Sequence, residues 1–268
     1  MSPIGVRLLR KATLVLNGHT ISGGDLTYAV VAGVGAPSDD NPVGRGSGRF
    51  TIMGPGTITG TNHPPFSHGT AACVLLNDGR AGITGATGPV VIDGCVYGVR
   101  GSRLFADGGT PNGRGRLDID HATVRGAYLS GIAVYRLGAT DVAAVENIES
   151  GILAGGRAMV TNLTASDNDG IGIFAGKRLE GSNVTATGNG NNGVDTCGFG
   201  RIALTNVTAT GNGLFGVCGD RVMLKSSTVT GNAFADIASR LAFPVLVDTT
   251  CGTSLKVDGT SWGVCAND

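Results

Sequence analysis

The stretch "RLDIDHATVRG", residues 116 to 126, sets two aspartates two positions apart with a histidine directly behind the second. Asp118 and Asp120 alternate with Leu117 and Ile119. On an extended strand both carboxylates therefore leave one face while the apolar pair leaves the other. Asp93, in "VVIDGC", follows the same alternation one segment earlier and is expected beside Asp120. Carboxylates about 5 Å apart raise each other's pKa or hold a cation between them, and paired acids suit uronate elimination or glycoside hydrolysis. Cations that could meet an acidic substrate cluster nearby: Arg100, Arg103, Arg114, Arg116 and Arg125, with Lys177 further along. The expected catalytic set is Asp93, Asp118, Asp120, His121 and Arg116, and the expected substrate-binding set is Arg100, Arg103, Tyr135 and Arg136. The same residues also have a plain structural role. The acids then sit on a solvated face, His121 hydrogen-bonds Asp141 in the next segment, and arginine stems cover apolar surface.

Other constellations are weaker. His63 and His68 in "NHPPFSH" lack a third ligand and read as an exposed loop. "SDNDG" (residues 166 to 170) does not match the ligand spacing of a calcium loop. No Walker A, GxSxG or HExxH pattern is present, which removes nucleotide, serine-hydrolase and zinc-protease chemistry.

The elements that must position these residues come from a repeat. Arg116, Arg136, Arg157, Arg178, Arg201 and Arg221 follow one another at intervals of 20, 21, 21, 23 and 20. Five residues after each comes a polar residue: His121, Asp141, Asn162, Asn183, Asn206, Ser226. Seven after comes Thr123, Ala143, Thr164, Thr185, Thr208 or Thr228, and eleven after Ala127, Asn147, Asn168, Asn189, Asn212 or Asn232. Sixteen after comes Ile132, Ile152, Ile173, Val194, Val217 or Ile237. Apolar residues alternate inside each unit and Gly and Asn punctuate it, which is strand periodicity in two or three short pieces. A unit of this length fits one turn of a parallel β-helix, each strand pairing with its copy about 4.8 Å away. Asparagines stacked at a bend then hydrogen-bond along the ladder and accept left-handed backbone. The N-x-T sequons at Asn162, Asn183 and Asn206 are a by-product of that register.

These rungs, with "LVLNGHTISG" (residues 14 to 23) and "FTIMGPGTITG" (residues 50 to 60), resemble the right-handed parallel β-helix repeat of the pectin-lyase-like superfamily. The resemblance implies an all-β solenoid of about nine coils over residues 13–240, with an N-terminal cap over 1–12 and a C-terminal cap over 241–268. Irregular rungs are expected from Thr13, Arg49 and Pro89. Insertions at 35–48, 60–69 and 97–116 could wall a groove or merely decorate the surface. The superfamily implies a carbohydrate-active protein working on an acidic polysaccharide as lyase, epimerase or hydrolase, with calcium held between outward acids. It equally includes non-catalytic surface, structural and glycan-binding proteins, so that alternative stays open. "DIDH" is similar to the "WIDH" of pectate lyases, without its tryptophan and without that family's arginine motif.

Composition sets the remaining bounds. The 268 residues carry 20 Lys+Arg and 20 Asp+Glu, a balance that argues against a nucleic-acid partner. Gly counts 47 and aromatics 5%, which suits many tight turns rather than a helical core. Six cysteines without a CxxC pair point to disulfides in an oxidising compartment, hence a secreted or periplasmic protein. Cys73 with Cys95, Cys197 with Cys218, and Cys251 with Cys265 is the expected sequential pairing. No apolar run reaches the roughly 18 residues of a membrane span. The start "MSPIGVRLLRKATLVL" lacks the apolar core and cleavage site of a signal peptide, so export implies a leader already removed. A monomer is expected.

Overall fold

A computed structural model of the chain describes residues 4–8, 11–23, 28–32, 49–60, 72–76, 80–101, 115–196, 198, 200–256 and 258–268. Among them there are strands and turns and no helix. The strands form two parallel sheets of 11 and 15, in which each strand pairs with the corresponding strand one coil later. The chain is a right-handed parallel β-helix, the hand expected of parallel crossovers.

Each regular coil has three faces. Face one opens with the arginine, as in residues 116–120. Face two follows, as in residues 122–125 of the same strand, Arg116–Arg125. Face three is a short strand of the other sheet, such as Ile132–Val134. Between faces one and two the pairing register skips one residue per coil, and that residue is His121, Asp141, Asn162, Asn183 or Asn206. All five, and Ser226 after them, have positive φ, from 48° at His121 to 57° at Asn206. The left-handed residue turns the strand while the ladder continues on either side. Asn, Asp and His tolerate that conformation better than the β-branched residues filling the flanking positions.

The interior is a set of columns. Ile132, Ile152, Ile173, Val194, Val217 and Ile237 stack in register and are fully buried. Leu117, Leu137, Ala158, Leu179, Ile202 and Val222 form another such column. Each buried Ile, Leu or Val contributes about 1.5–3 kcal/mol, so identical positions on successive rungs hold the solenoid together.

Two polar ladders run beside the core. Outside, Asn206 Nδ2 donates to Asn183 Oδ1 at 2.7 Å, Asn183 Nδ2 to Asn162 Oδ1 at 2.6 Å, and Asn162 Nδ2 to Asp141 Oδ1 at 2.6 Å. Inside, Asn147, Asn168, Asn189 and Asn212 are each 1% exposed. Their amides donate coil to coil at 2.8–2.9 Å, ending on Asn232, which donates to Asp236 Oδ1. Asp236 is suited to the last place because its second oxygen accepts the Gly252 and Thr253 backbone N–H groups.

The irregular coils differ from the sequence expectation in one respect. The coil before Arg116 opens at Arg80, not near Pro89, because Arg80–Thr84 lies on face one and Val90–Asp93 on face two. Ile4–Leu8 pairs in parallel with Tyr28–Ala32 and begins face three. At the other end Val245–Val247, Thr250–Cys251 and Ser254–Leu255 add a further turn to all three faces. Trp262 Nε1 donates to the Ser239 carbonyl at 2.9 Å, and its ring meets Phe243 edge-on. Cys73–Cys95 and Cys251–Cys265 are disulfide-bonded. Cys218 is also disulfide-bonded, while Cys197 lies outside the described residues.

Candidate functional site

Face one is where charge collects. Register pairing places Arg49, Arg80, Arg116 and Arg136 in one column, which continues through Arg157, Arg178, Arg201 and Arg221. Among the described residues two carboxylates answer these eight guanidiniums. Asp118 takes Arg80 Nε on Oδ2 at 2.9 Å and Arg116 Nε on Oδ1 at 2.8 Å. Glu180 takes Arg157 at 2.5 Å, lies against Arg178, and reaches Arg201 at 3.5 Å. The crowding shows at Arg178: burial, then the neighbouring Arg201 and Arg157, push its guanidinium pKa below the ordinary value. Arg49, Arg136 and Arg221 have no carboxylate partner among the described residues. The regular interval thus leaves out two members of the column, Arg49 and Arg80, and its second acid, Glu180.

Beside the column runs a groove of about 520 Å³, whose lining includes Asp118, Asp120, Thr140, Met159 and Glu180. Its floor is low because Gly82 and Gly138 occupy the rungs on either side of Asp118. A Cβ at Gly138 would stand 2.7 Å from Asp118 Oδ1, so glycine there leaves the carboxylate free to lie against the sheet and meet Arg116.

At the far edge of the groove Asp120 accepts a hydrogen bond from Thr84 Oγ1 at 3.1 Å. His121, turned outward by its positive φ, places Nδ1 3.6 Å from Asp120 Oδ2 and Nε2 3.4 Å from Asp141 Oδ2. One imidazole therefore stands between two carboxylates at the head of the outer amide ladder. The contact to Asp141 is the structural role foreseen for His121, and the contact to Asp120 joins it to the groove.

The structure brings together Arg116, Asp118, Asp120 and His121, and sets Tyr135 and Arg136 beside them. Asp93 is not part of this group. Its partner in register is Arg125 on face two, which it also meets in an ion pair at 3.0 Å, while the residue beside Asp120 is Thr84. The expectation failed because the coil starts nine residues earlier than Pro89, which moves Asp93 round the bend. Arg100 is likewise elsewhere. It lies on face three, 7% exposed, with its guanidinium 5.3 Å from the Tyr97 ring. Burial pushes its pKa down against the opposing influence of Tyr28 and Tyr97, so it does not reach a ligand on face one. Arg103, Arg114, His63 and His68 fall outside the described residues, as do most of the three insertions.

The donor set does not suit calcium. Both oxygens of Asp118 are engaged by guanidinium groups, and among the described residues no three His, Cys, Asp or Glu side chains converge as metal ligands. No helix among the described residues is long and apolar enough to cross a membrane.

No protein-family model matches the chain, and no curated protein matches it in sequence. Among solved structures it is similar to the A-module of the mannuronan C-5 epimerase AlgE4 of Azotobacter vinelandii, at 16% identity and a TM-score of 0.46. That alignment covers 90% of this chain and 69% of the other.

Proposed function

We propose that the protein is an extracytoplasmic, carbohydrate-active β-helix that takes an acidic polysaccharide along face one. The observation that carries this is the column of eight arginines with two carboxylate partners, lying beside an open groove with a glycine floor. Guanidiniums repeated about every 4.8 Å repel one another unless anions lie among them, and a polyanion along the rod supplies those anions. The disulfides support a location outside the cytoplasm.

Within that reading, proton abstraction next to a uronate carboxylate fits the side chains better than hydrolysis. A hydrolase needs one carboxylic acid free to donate a proton, and both oxygens of Asp118 are engaged by Arg80 and Arg116. A lyase or epimerase needs a cation against the uronate carboxylate and a proton acceptor nearby; Arg136, without a carboxylate partner among the described residues, and His121 beside Asp120 support that reading. The alternative, a glycan-binding protein without turnover, is favoured by the same saturation of Asp118.

The test is incubation with polygalacturonate and with alginate. Ultraviolet absorbance of unsaturated ends reports elimination, and uptake of deuterium at C5 from heavy water reports epimerisation. Either signal, lost in His121→Ala, supports catalysis; binding without either supports the glycan-binding alternative. Failure to bind any acidic polysaccharide at low salt overturns the proposal.

A further inference from the structure

From Arg116 onward, the residue just before each column arginine is Gly115, Tyr135, Gly156, Lys177, Gly200 and Asp220 in turn. This places one aromatic ring and one ammonium two coils apart, with a glycine between them. A Cβ on Gly156 would stand 3.3 Å from Tyr135 Cζ and 3.4 Å from its Cε2. The ring therefore lies down across the bare backbone of the next coil, a position only glycine leaves open. Arg136 sits 5.8 Å from the ring centroid, at the outer limit of a cation–π contact, so its forked donors remain available to a ligand. Arg116, Arg157 and Lys177 complete the rim of a hollow of about 340 Å³. Arg116 and Arg157 already hold Asp118 and Glu180, whereas Arg136 and Lys177 have no carboxylate partner among the described residues.

We propose that this hollow is a subsite for a single hexuronate residue. Its apolar C–H face lies against Tyr135, and its carboxylate is shared between the Arg136 fork and the Lys177 ammonium. Aromatic rings present an apolar face to a sugar and arginine forks match carboxylates, so the two requirements of an acidic sugar meet in one place. The hollow opens towards the groove, with Arg116 and Met159 lining both. A chain leaving it passes Asp118, Asp120 and Glu180, which repel a densely sulfated chain more than one carrying a single charge per sugar. The inference rests on the polysaccharide reading above and names the residue type it selects.

The test measures trigalacturonate binding by titration calorimetry at low salt for the wild type, Tyr135→Ala and Lys177→Ala. Thr228→Ala on face two serves as a control, and polygalacturonate and dextran sulfate are run in parallel. The first two variants are expected to weaken trigalacturonate binding about tenfold each, the loss of one charge-assisted hydrogen bond or one ring contact, while Thr228→Ala does not. Gly156→Ala, which would lift the ring, is expected to match Tyr135→Ala, with circular dichroism checking the fold. If the wild type holds polygalacturonate and both variants hold trigalacturonate as tightly as it does, the subsite is overturned while the polysaccharide reading survives. If the wild type holds neither uronate ligand, both fall. Preference for dextran sulfate over polygalacturonate overturns the hexuronate assignment.

Discussion

Replacing Glu180 by Gln removes the one acid that answers Arg157, Arg178 and Arg201 while keeping its size. The side chain is 19% exposed and the three guanidiniums are 38–47% exposed, so these are largely surface interactions, and the pairs with Arg157 and Arg201 contribute about 0.2–1 kcal/mol each. Those two pairs together come to about 0.4–2 kcal/mol. Once the carboxylate is gone, adjacent guanidiniums about 4.8 Å apart repel by about 0.9 kcal/mol per neighbour in water. That repulsion is no longer offset, and it weakens as the screening length shrinks from about 10 Å at 0.1 M salt to about 3 Å at 1 M. E180Q is therefore expected to melt roughly 1–8 °C below the wild type at low salt, with most of the gap closing in 1 M salt. The same change makes face one more positive, so polygalacturonate binding at low salt is expected to tighten and to protect the variant more than the wild type. Thermal melts by circular dichroism and a polygalacturonate titration read both effects. If E180Q melts with the wild type at low salt, or binds the polymer more weakly, the account of the column as an uncompensated cation array is wrong.

Two further expectations concern the frame that holds the site. Asn189→Ala leaves Asn168 with an unpaired backbone N–H and an unpaired amide hydrogen in a buried place, a loss of about 2–6 kcal/mol at 1–3 per orphaned donor. Asn206→Gly, which keeps the positive φ and loses one exposed bond, should stay within about 1 kcal/mol; denaturant midpoints in which the outer variant is the worse one would contradict the two-ladder account. Asp268 is desolvated, which raises its pKa, but hydrogen bonds from Ser254, Cys265 and Val264 outweigh this and bring it from 3.8 to about 2. A depressed carboxylate stabilises the folded form fully above its ordinary pKa and ceases to do so as pH falls through the folded value. Trp262 fluorescence should accordingly report loosening of the last coil between pH 3.8 and about 2, and Asp268→Asn should flatten that transition; an unchanged acid profile would count against the assignment.

Much of this architecture is legible in the sequence because a solenoid repeats its demands. The positions at plus-five, plus-eleven and plus-sixteen recur since a bend, a buried amide and a core column recur, and all three lie where the spacing puts them. The column beyond Arg116 was hidden for a physical reason. The coils opening at Arg49 and Arg80 carry extra residues between faces, so their interval is not the regular one. Arg49 is already legible as a coil start, and the local pattern of an arginine followed by alternating apolar residues, "RFTI", "RAGI", "RLDI", joins it to the column and puts at Arg80 the start expected near Pro89. The misplacement of Asp93 follows from the same lost count. Glu180 escaped notice because it breaks no column in sequence; its importance lies in reaching arginines on the coils before and after its own.

The two asparagine ladders also say where chemistry can reside. Every amide of the outer ladder donates in the same direction, from Asn206 towards Asp141, so the array presents its donor hydrogens to that carboxylate. Asn206, Asn183 and Asn162 are committed to one another and to the bend, which leaves them no free role. At Asp141 the amides stop and the ladder changes character: an imidazole bridges that acid to Asp120, whose other neighbour is Thr84 rather than another amide. A repeat that could have continued as asparagine at residue 121 carries an imidazole instead, on the coil where Asp118 meets Arg116 and one coil before the groove floor drops to Gly138. Two departures from the pattern thus fall on one coil, Asp118 lining the groove and His121 contacting Asp120 at its edge, so the repeat is broken where the groove lies.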